Sequence, residues 1–419
     1  SEAAKRRSRM TCFMTPYSLY LHIPFCKHRC AYCDFNTYAG QEDSIPAYVD
    51  ALIREIDFVG QQLDHATIEP SDYRTAGTVF FGGGTPSLLS GPQFASVMDA
   101  LRSAFALTTD AEVSIEANPG TISPDKLAAI RAAGINRISF GVQSANTEEL
   151  RMLERIHDFF TVIEAVSTAR QAGFDNLNLD LIYGLPEQTL STWQNTVRRV
   201  VDLQPEHISA YALTLEHGTP FGRWAAKGLL PLPDPDLAAE MYEWADDYLE
   251  ANGYEQYEIS NWARNVERST LDVQRSFACR HNLQYWRGLP YLAFGAGAHG
   301  YANGYRYSNV LRIKTYIERL ANYQLPKYQF PLTPATVNHH RQTESDEMGE
   351  FMMTNLRLTR EGVAEADFRS RFGRGLFEVY AKEAGDLIRK GLLEWTGERL
   401  RLTPRGRLLG NQVFMEFIA

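Results

Sequence analysis

Apolar and polar positions follow two rhythms along this chain. Short apolar or β-branched runs recur between Tyr17 and about Thr214: SLYLHI, TVFFGGG, EVSIEANP, RISFGVQS, NLNLDLIYG and HISAYALT. Runs of this length between turn residues are expected strands. The segments between them, among them AYVDALIREIDFVGQQL, QFASVMDALRSAF, TVIEAVSTARQAG and STWQNTVRRVVDL, carry apolar residues at helical spacing. One further helix is bounded by its own residues: Ser123 suits the N-cap, Pro124 the first helical position and Gly134 the stop. Strand–helix units in succession predict an α/β fold with a parallel sheet and crossover helices, curved into a partial (β/α)6 barrel. In such barrels the chemistry lies at the carboxyl ends of the strands. The polar residues of interest fall there: cysteines after the first strand, glycines after the second, Glu116 on the third, Gln143 ending the fourth and Asp180 on the fifth.

The rhythm breaks at the proline-rich LPLPDPDL, Leu230–Leu237. A helix follows (AAEMYEWADDYLEANGY), then an aromatic region with no clear period to about Tyr307. From Pro334 the pattern changes: MGEFMMTNLRLTREGV reads as helix, and the rest as helix, helix, hairpin, helix, with the hairpin turn at Thr396-Gly397. That order predicts a winged-helix-like C-terminal region. The expected division is a flexible tail over 1–16, the barrel over 17–233, a helical and aromatic extension over 234–330 and the winged-helix-like domain over 331–419.

Composition narrows the function. The chain of 419 residues is 44% apolar and carries a net charge of −9, so no basic footprint points to nucleic acid. The locally Arg-rich tail keeps a DNA-binding regulator as an alternative, against the acidic balance. Five cysteines, three of them within eight residues, do not make a secreted disulfide framework, and a reducing cytoplasm is expected. No apolar run approaches the roughly 20 residues of a membrane span.

The three clustered cysteines, Cys26, Cys30 and Cys33, have the spacing C-x3-C-x2-C. Three thiolates on one loop suit an iron–sulfur centre, and a 4Fe–4S cube bound by three sulfurs keeps one iron open to a small chelating ligand. A zinc site with His22 or His28 as fourth ligand is an alternative. A redox pair would explain only two of the three.

The loop and the strand ends together resemble the radical S-adenosylmethionine (SAM) proteins. The resemblance rests on the C-x3-C-x2-C loop with Tyr32 before the third cysteine, then FFGGGTPSLL, IEANP, SFGVQS, Arg155 and LDLIYGLP in order, and runs on through CRHNLQYWRG and the tail. It implies a radical SAM barrel with a 4Fe–4S cluster on Cys26, Cys30 and Cys33. It also implies a SAM site over Tyr20, Tyr32, Gly83, Gly84, Thr85, Glu116, Gln143, Arg155 and Asp180. Glycines at 82–84 would let backbone approach a ligand closely.

The subfamily it resembles holds the oxygen-independent coproporphyrinogen III dehydrogenases and the HemW-type heme chaperones. The dehydrogenase branch carries a further cysteine two positions after the third, where this chain has Phe35. HNLQYW, His281 to Trp286, is similar to the H-N-x-x-Y-W motif tied to heme in the chaperone branch. His281 is then the expected axial ligand, with Tyr285 and Trp286 flanking the macrocycle and Cys279 as the alternative ligand. No C-x-x-C-H stands for covalent attachment of the c type. The resemblance implies a cytoplasmic chaperone that binds heme and passes it to an acceptor apoprotein. A membrane-associated acceptor and a homodimer are further expectations, and no nucleic-acid partner is expected. Turnover of a porphyrinogen is the alternative, and no catalytic residue is assigned.

Overall fold

The computed structural model describes residues 16–65, 74–268, 273–321 and 328–418. The flexible tail expected at 1–16 therefore lies, Pro16 excepted, outside the described residues. Six parallel strands follow the expected runs: β1 (Tyr17–Ile23), β2 (Thr75–Gly83), β3 (Ala106–Ala117), β4 (Arg137–Gln143), β5 (Leu177–Tyr183) and β6 (His207–Ala212). They pair in sequence order, β1 to β2 through to β5 to β6. The crossover helices are α1 (Ile45–His65), α2 (Gly91–Ala104), α3 (Pro124–Ala133), α4 (Thr147–Met152) with α5 (Phe159–Gln171), and α6 (Leu190–Val201). Ser123 caps α3 by accepting from the Lys126 N–H, and Gly134 ends it at φ 107°.

Alternation along the strands sorts the two faces of the barrel wall. Leu19, Leu21 and Ile23 are fully buried against Leu52, Ile56 and Val59 of α1 in the main core. The positions between them, and their counterparts on the other strands, are polar: Ser18, Tyr20 and His22; Ser114 and Glu116; Ser139; Asn178 and Asp180. Parallel strands usually bury both faces in apolar packing. Here the inner face builds a polar lumen instead.

Among the described residues the extension over 234–330, expected to be helical and aromatic, holds three helices and also six strands that lengthen the sheet. After α7 (Pro220–Ala226) and α8 (Pro235–Ala251), β7 (Tyr254–Glu258), β8 (Asn261–Arg268) and β9 (Val273–Ser276) continue the sheet beyond β6. Beyond β1 it continues as β10 (Tyr291–Phe294), β11 (His299–Ala302), β12 (Tyr305–Asn309) and β13 (Thr336–Arg341). Most of these strands are only four or five residues long, too short for a sustained alternation to show in the sequence. Pairing of β13 with β12 carries the large sheet past the expected boundary at 330/331. A second core, starting at Met348, belongs to α11 (Glu344–Asn355), α12 (Glu365–Phe372) and α13 (Leu376–Arg389) and to a small sheet of β14 (Val363–Ala364), β15 (Leu393–Trp395) and β16 (Arg399–Leu402). Three helices and then a hairpin is the order expected of the tail. Between β9 and β10 lies the short helix α9 (Arg280–Trp286), and α10 (Ile313–Ala321) follows β12. Among the described residues no helix is long and apolar enough to cross a membrane.

Candidate functional site

A cleft of about 480 Å³ opens at the carboxyl ends of β1 to β6. It is lined by the three cysteines and by Tyr32, Gly83, Gly84, Thr85, Glu116, Gln143, Arg155 and Asp180. Eleven residues expected to form one site therefore meet in one place. Tyr20 does not line it. Its hydroxyl bonds His22 Nδ1 at 2.9 Å and its ring stacks on Phe80, one layer behind the glycines.

Each thiol on the loop meets at least one polar side chain. Thr85 Oγ1 donates to Cys26 Sγ at 3.6 Å, Arg155 Nη1 donates to Cys30 Sγ at 3.8 Å, and Thr37 Oγ1 lies 3.9 Å from Cys33 Sγ. Burial raises the Cys26 and Cys33 thiols above their ordinary range, and the hydroxyls work against that. Donors aimed at sulfur favour thiolates, which is the chemistry an iron–sulfur cluster needs. Among the described residues no three His, Cys, Asp or Glu side chains converge on a single-ion site. His22 is not free to be the fourth ligand of the zinc alternative, because its Nε2–H donates to the Asn36 carbonyl while Nδ1 takes the Tyr20 hydroxyl; His28, the other candidate, turns its Nε2 to Glu154.

The glycines have a reason on the protein side. A Cβ on Gly83, which sits at φ 109°, would meet the His22 ring at 2.5 Å. One on Gly84 would lie 2.6 Å from the Phe25 carbonyl oxygen. The strand end is pressed against the cluster loop, and side chains are excluded there by the loop itself. The Gly83 N–H donates to Glu116 Oε2 at 3.0 Å. Burial and the neighbouring Asp180 nevertheless push the Glu116 carboxyl up to about 7. Asp180 is held from behind by Ser139 and Asn178, at 2.6 and 2.7 Å, neither of which was expected as a site residue. Gln143 ends β4 at φ 68°, a strained backbone for a residue with a Cβ. Arg155 Nη2 donates to the Gly141 carbonyl at 2.7 Å, while its buried Nε has no partner. An orphaned donor, two carboxylates and close backbone suit a ligand with amine, carboxylate and hydroxyl groups, as SAM has.

HNLQYW occupies the opposite end. α9 seals the amino-terminal mouth of the barrel, where Glu112 accepts from the backbone N–H groups of Arg280 and His281. His281 is 1% exposed. Its Nδ1 lies 2.7 Å from Thr78 Oγ1, and Thr78 donates to Ser18 at 2.6 Å, so Nδ1–H donates to Thr78. Its Nε2 lone pair then accepts from the Tyr285 hydroxyl at 2.8 Å. Burial and Arg137 pull this imidazole down to about 3, so it is neutral and fully engaged. Trp286 is half-buried under the Arg357 guanidinium, 4.4 Å from the ring centre. Cys279 is fully buried, with its Sγ 3.4 Å from Glu112 Oε1. The structure brings the expected heme residues together, but as a packed floor. Five residues along β2 separate Thr78 at that floor from Gly83 at the cleft, a span of about 17 Å along a strand.

A thiol loop over the carboxyl mouth of a six-strand parallel barrel is the arrangement of the radical SAM superfamily, whose family profile matches residues 20–200. A second profile, the HemN C-terminal domain, matches residues 342–409. Of solved structures, coproporphyrinogen III oxidase (HemN) from Escherichia coli, a radical SAM enzyme, superposes with a TM-score of 0.77 at 25% identity, covering 100% of this chain and 93% of that one. The heme chaperone HemW of Bacillus subtilis is 38% identical over 96% of this chain and 99% of its own length. Those of Mycobacterium tuberculosis and Escherichia coli are 39% and 34% identical, over 94% and 99% of their lengths. The chain belongs to the HemW heme chaperone family.

Proposed function

We propose that this protein binds heme as cargo and delivers it to an acceptor apoprotein in the cytoplasm. It carries a 4Fe–4S cluster on Cys26, Cys30 and Cys33, and SAM over Tyr32, Gly83, Gly84, Thr85, Glu116, Gln143, Arg155 and Asp180. The observation that carries the reading is end-to-end similarity to proteins named heme chaperones, at 38% identity over 99% of one of them. When bound, cluster and SAM supply one-electron chemistry at the open iron. The chain's own residues do the rest. Thr85, Thr37 and Arg155 stabilise the thiolates. Ser139 and Asn178 fix the Asp180 carboxylate toward the cleft. Glu116 offers an acceptor held by the Gly83 N–H. The reading extends to a membrane-associated acceptor and a homodimeric chaperone, which membrane co-sedimentation and light scattering test.

The test of the function is transfer. Protein reconstituted anaerobically with iron and sulfide, then loaded with one equivalent of heme, is mixed with an apo-cytochrome. Heme should move to the acceptor, followed by its spectrum after separation. Failure to bind heme at all, or binding without transfer, sinks the reading.

A further inference from the structure

This inference rests on the heme-chaperone reading and concerns where the heme sits. The His281 lone pair is taken by Tyr285, and its ring is buried in the barrel floor. Iron would have to break that bond and open the floor to reach it. At the cluster mouth the situation is reversed. His28 lies between Cys26 and Cys30, with its side chain 47% exposed. Its Nε2 is 3.0 Å from Glu154 Oε2. A carboxylate only accepts, so Nε2 carries a proton; Nδ1 has no hydrogen-bond partner among the described residues, and in the neutral ring it is the nitrogen that holds the lone pair. An imidazole aimed by a carboxylate through one nitrogen, with the other free, is the arrangement metal-ligating histidines adopt. Glu154 is held at φ 55°, a costly backbone for a non-glycine residue, in the position from which it reaches His28.

The surroundings suit a flat apolar macrocycle with two carboxylates. Phe35 is 64% exposed and Ile156 57% exposed, and both line the mouth of the same cleft. Large apolar side chains standing in water around a cleft mark a binding surface. On the loop itself, Lys27 and Arg29 flank His28; both are exposed and line the cleft. Neither forms an ion pair with a carboxylate among the described residues, and Arg29 reaches only the Cys33 carbonyl, at 3.4 Å. The acids lining the cleft are Asp34, on the same loop, Glu154, already engaged by His28, Glu216, and Glu116 and Asp180 at the strand ends. Phe35 stands where the dehydrogenase branch has a cysteine, so a thiol is replaced by apolar surface at this rim.

We propose that heme is held at the cluster mouth, with His28 Nδ1 as axial ligand, Phe35 and Ile156 against the macrocycle, and Lys27 and Arg29 facing the propionates. The HNLQYW helix serves as the barrel floor and not as the heme seat.

The experiment titrates ferric heme into the reconstituted protein with its cluster in place and reads the Soret band, magnetic circular dichroism and iron–sulfur content of each sample. His28→Ala should lose the axial imidazole signature and weaken heme binding at least tenfold with cluster content unchanged, and added imidazole should restore the signature. Glu154→Gln should weaken it about tenfold, the usual loss when the orienting partner of a metal-bound histidine is removed. Phe35→Asp and Ile156→Asp should each lower affinity. His217→Ala, an exposed histidine beside the cleft without an orienting carboxylate among the described residues, should change nothing. Wild-type spectrum and affinity in His28→Ala, or loss of the imidazole signature in His281→Ala with the fold retained by circular dichroism, overturns the seat and leaves the chaperone reading standing. If His28→Ala loses its cluster as well, imidazole rescue decides: a restored Soret band supports the seat, and no response overturns it. A wild-type protein that binds no heme overturns the chaperone reading itself.

Discussion

At the scale of single residues, the lumen holds titratable groups in states set by burial. Glu116 is the clearest. Its carboxyl ordinarily titrates at 4.5 and here at about 7, first because it is removed from water and second because Asp180 repels a second charge. Between those values the unfolded chain is ionised while the folded protein still holds the proton. The folded state therefore binds more protons, and this group's contribution to stability falls as pH rises through that window. Glu116→Gln should be neutral in melting temperature below pH 4.5 and stabilise the ligand-free protein by a few degrees above pH 7, measured by calorimetry across pH. The same variant should bind SAM more weakly. His281 gives the opposite case, a neutral ring with both nitrogens used. His281→Ala strands the Tyr285 hydroxyl in the floor and opens a cavity, at a cost of about 2–4 kcal/mol in denaturant unfolding. Iron–sulfur content should be unaffected. A variant as stable as the parent would mean that α9 does not seal the barrel.

At the scale of elements, the cluster loop is clipped to the extension that follows the barrel. Asn36, three residues past the last cysteine, donates to the carbonyls of Ala296 and Leu311, each at 3.1 Å, and its own carbonyl accepts from His22. The segment it grips is anchored in turn on α1. There the buried Glu55 accepts from the Gly295 N–H and from Tyr316, Thr333 and Asn309, all within 2.8 Å. Buried carboxylates persist only when satisfied in this way, so the carboxylate ties barrel helix, extension and α10 into one support. Asn36→Ala removes the clip without touching a thiol. It should shorten cluster retention against a chelator by about tenfold, the equivalent of roughly one net hydrogen bond, since the Leu311 carbonyl keeps the Tyr38 hydroxyl as a donor. Unchanged retention would show that the cysteine loop holds its shape alone.

At the scale of the whole molecule, the chain shares its fold with a coproporphyrinogen oxidase at a TM-score of 0.77 and its sequence with heme chaperones at 38% identity. Fold alone does not decide between them. The rim residue Phe35 is the local difference, and coproporphyrinogen III should remain unconverted when SAM and an electron donor are supplied anaerobically. Product formed at enzymatic rates would return the protein to the oxidase side. The six strands, their order, the capped α3, the thiol loop and the strand-end residues from Tyr32 to Asp180 were all legible in sequence, because each depends on local period, turn chemistry or position along one strand. What lay beyond local pattern was decided by tertiary structure. The extension added strands because its runs of four to eight residues found partners at the barrel's edges, and strand pairing is set by neighbours more than by the run itself. Tyr20 moved behind the cleft because the glycines pack on His22. His281 and His28 are both single histidines in their motifs, and the sequence alone does not show that the first is buried and the second exposed. Which nitrogen is free follows from the hydrogen bonds the other makes, and those partners, Tyr285 at one site and Glu154 at the other, are fixed only when the chain has folded.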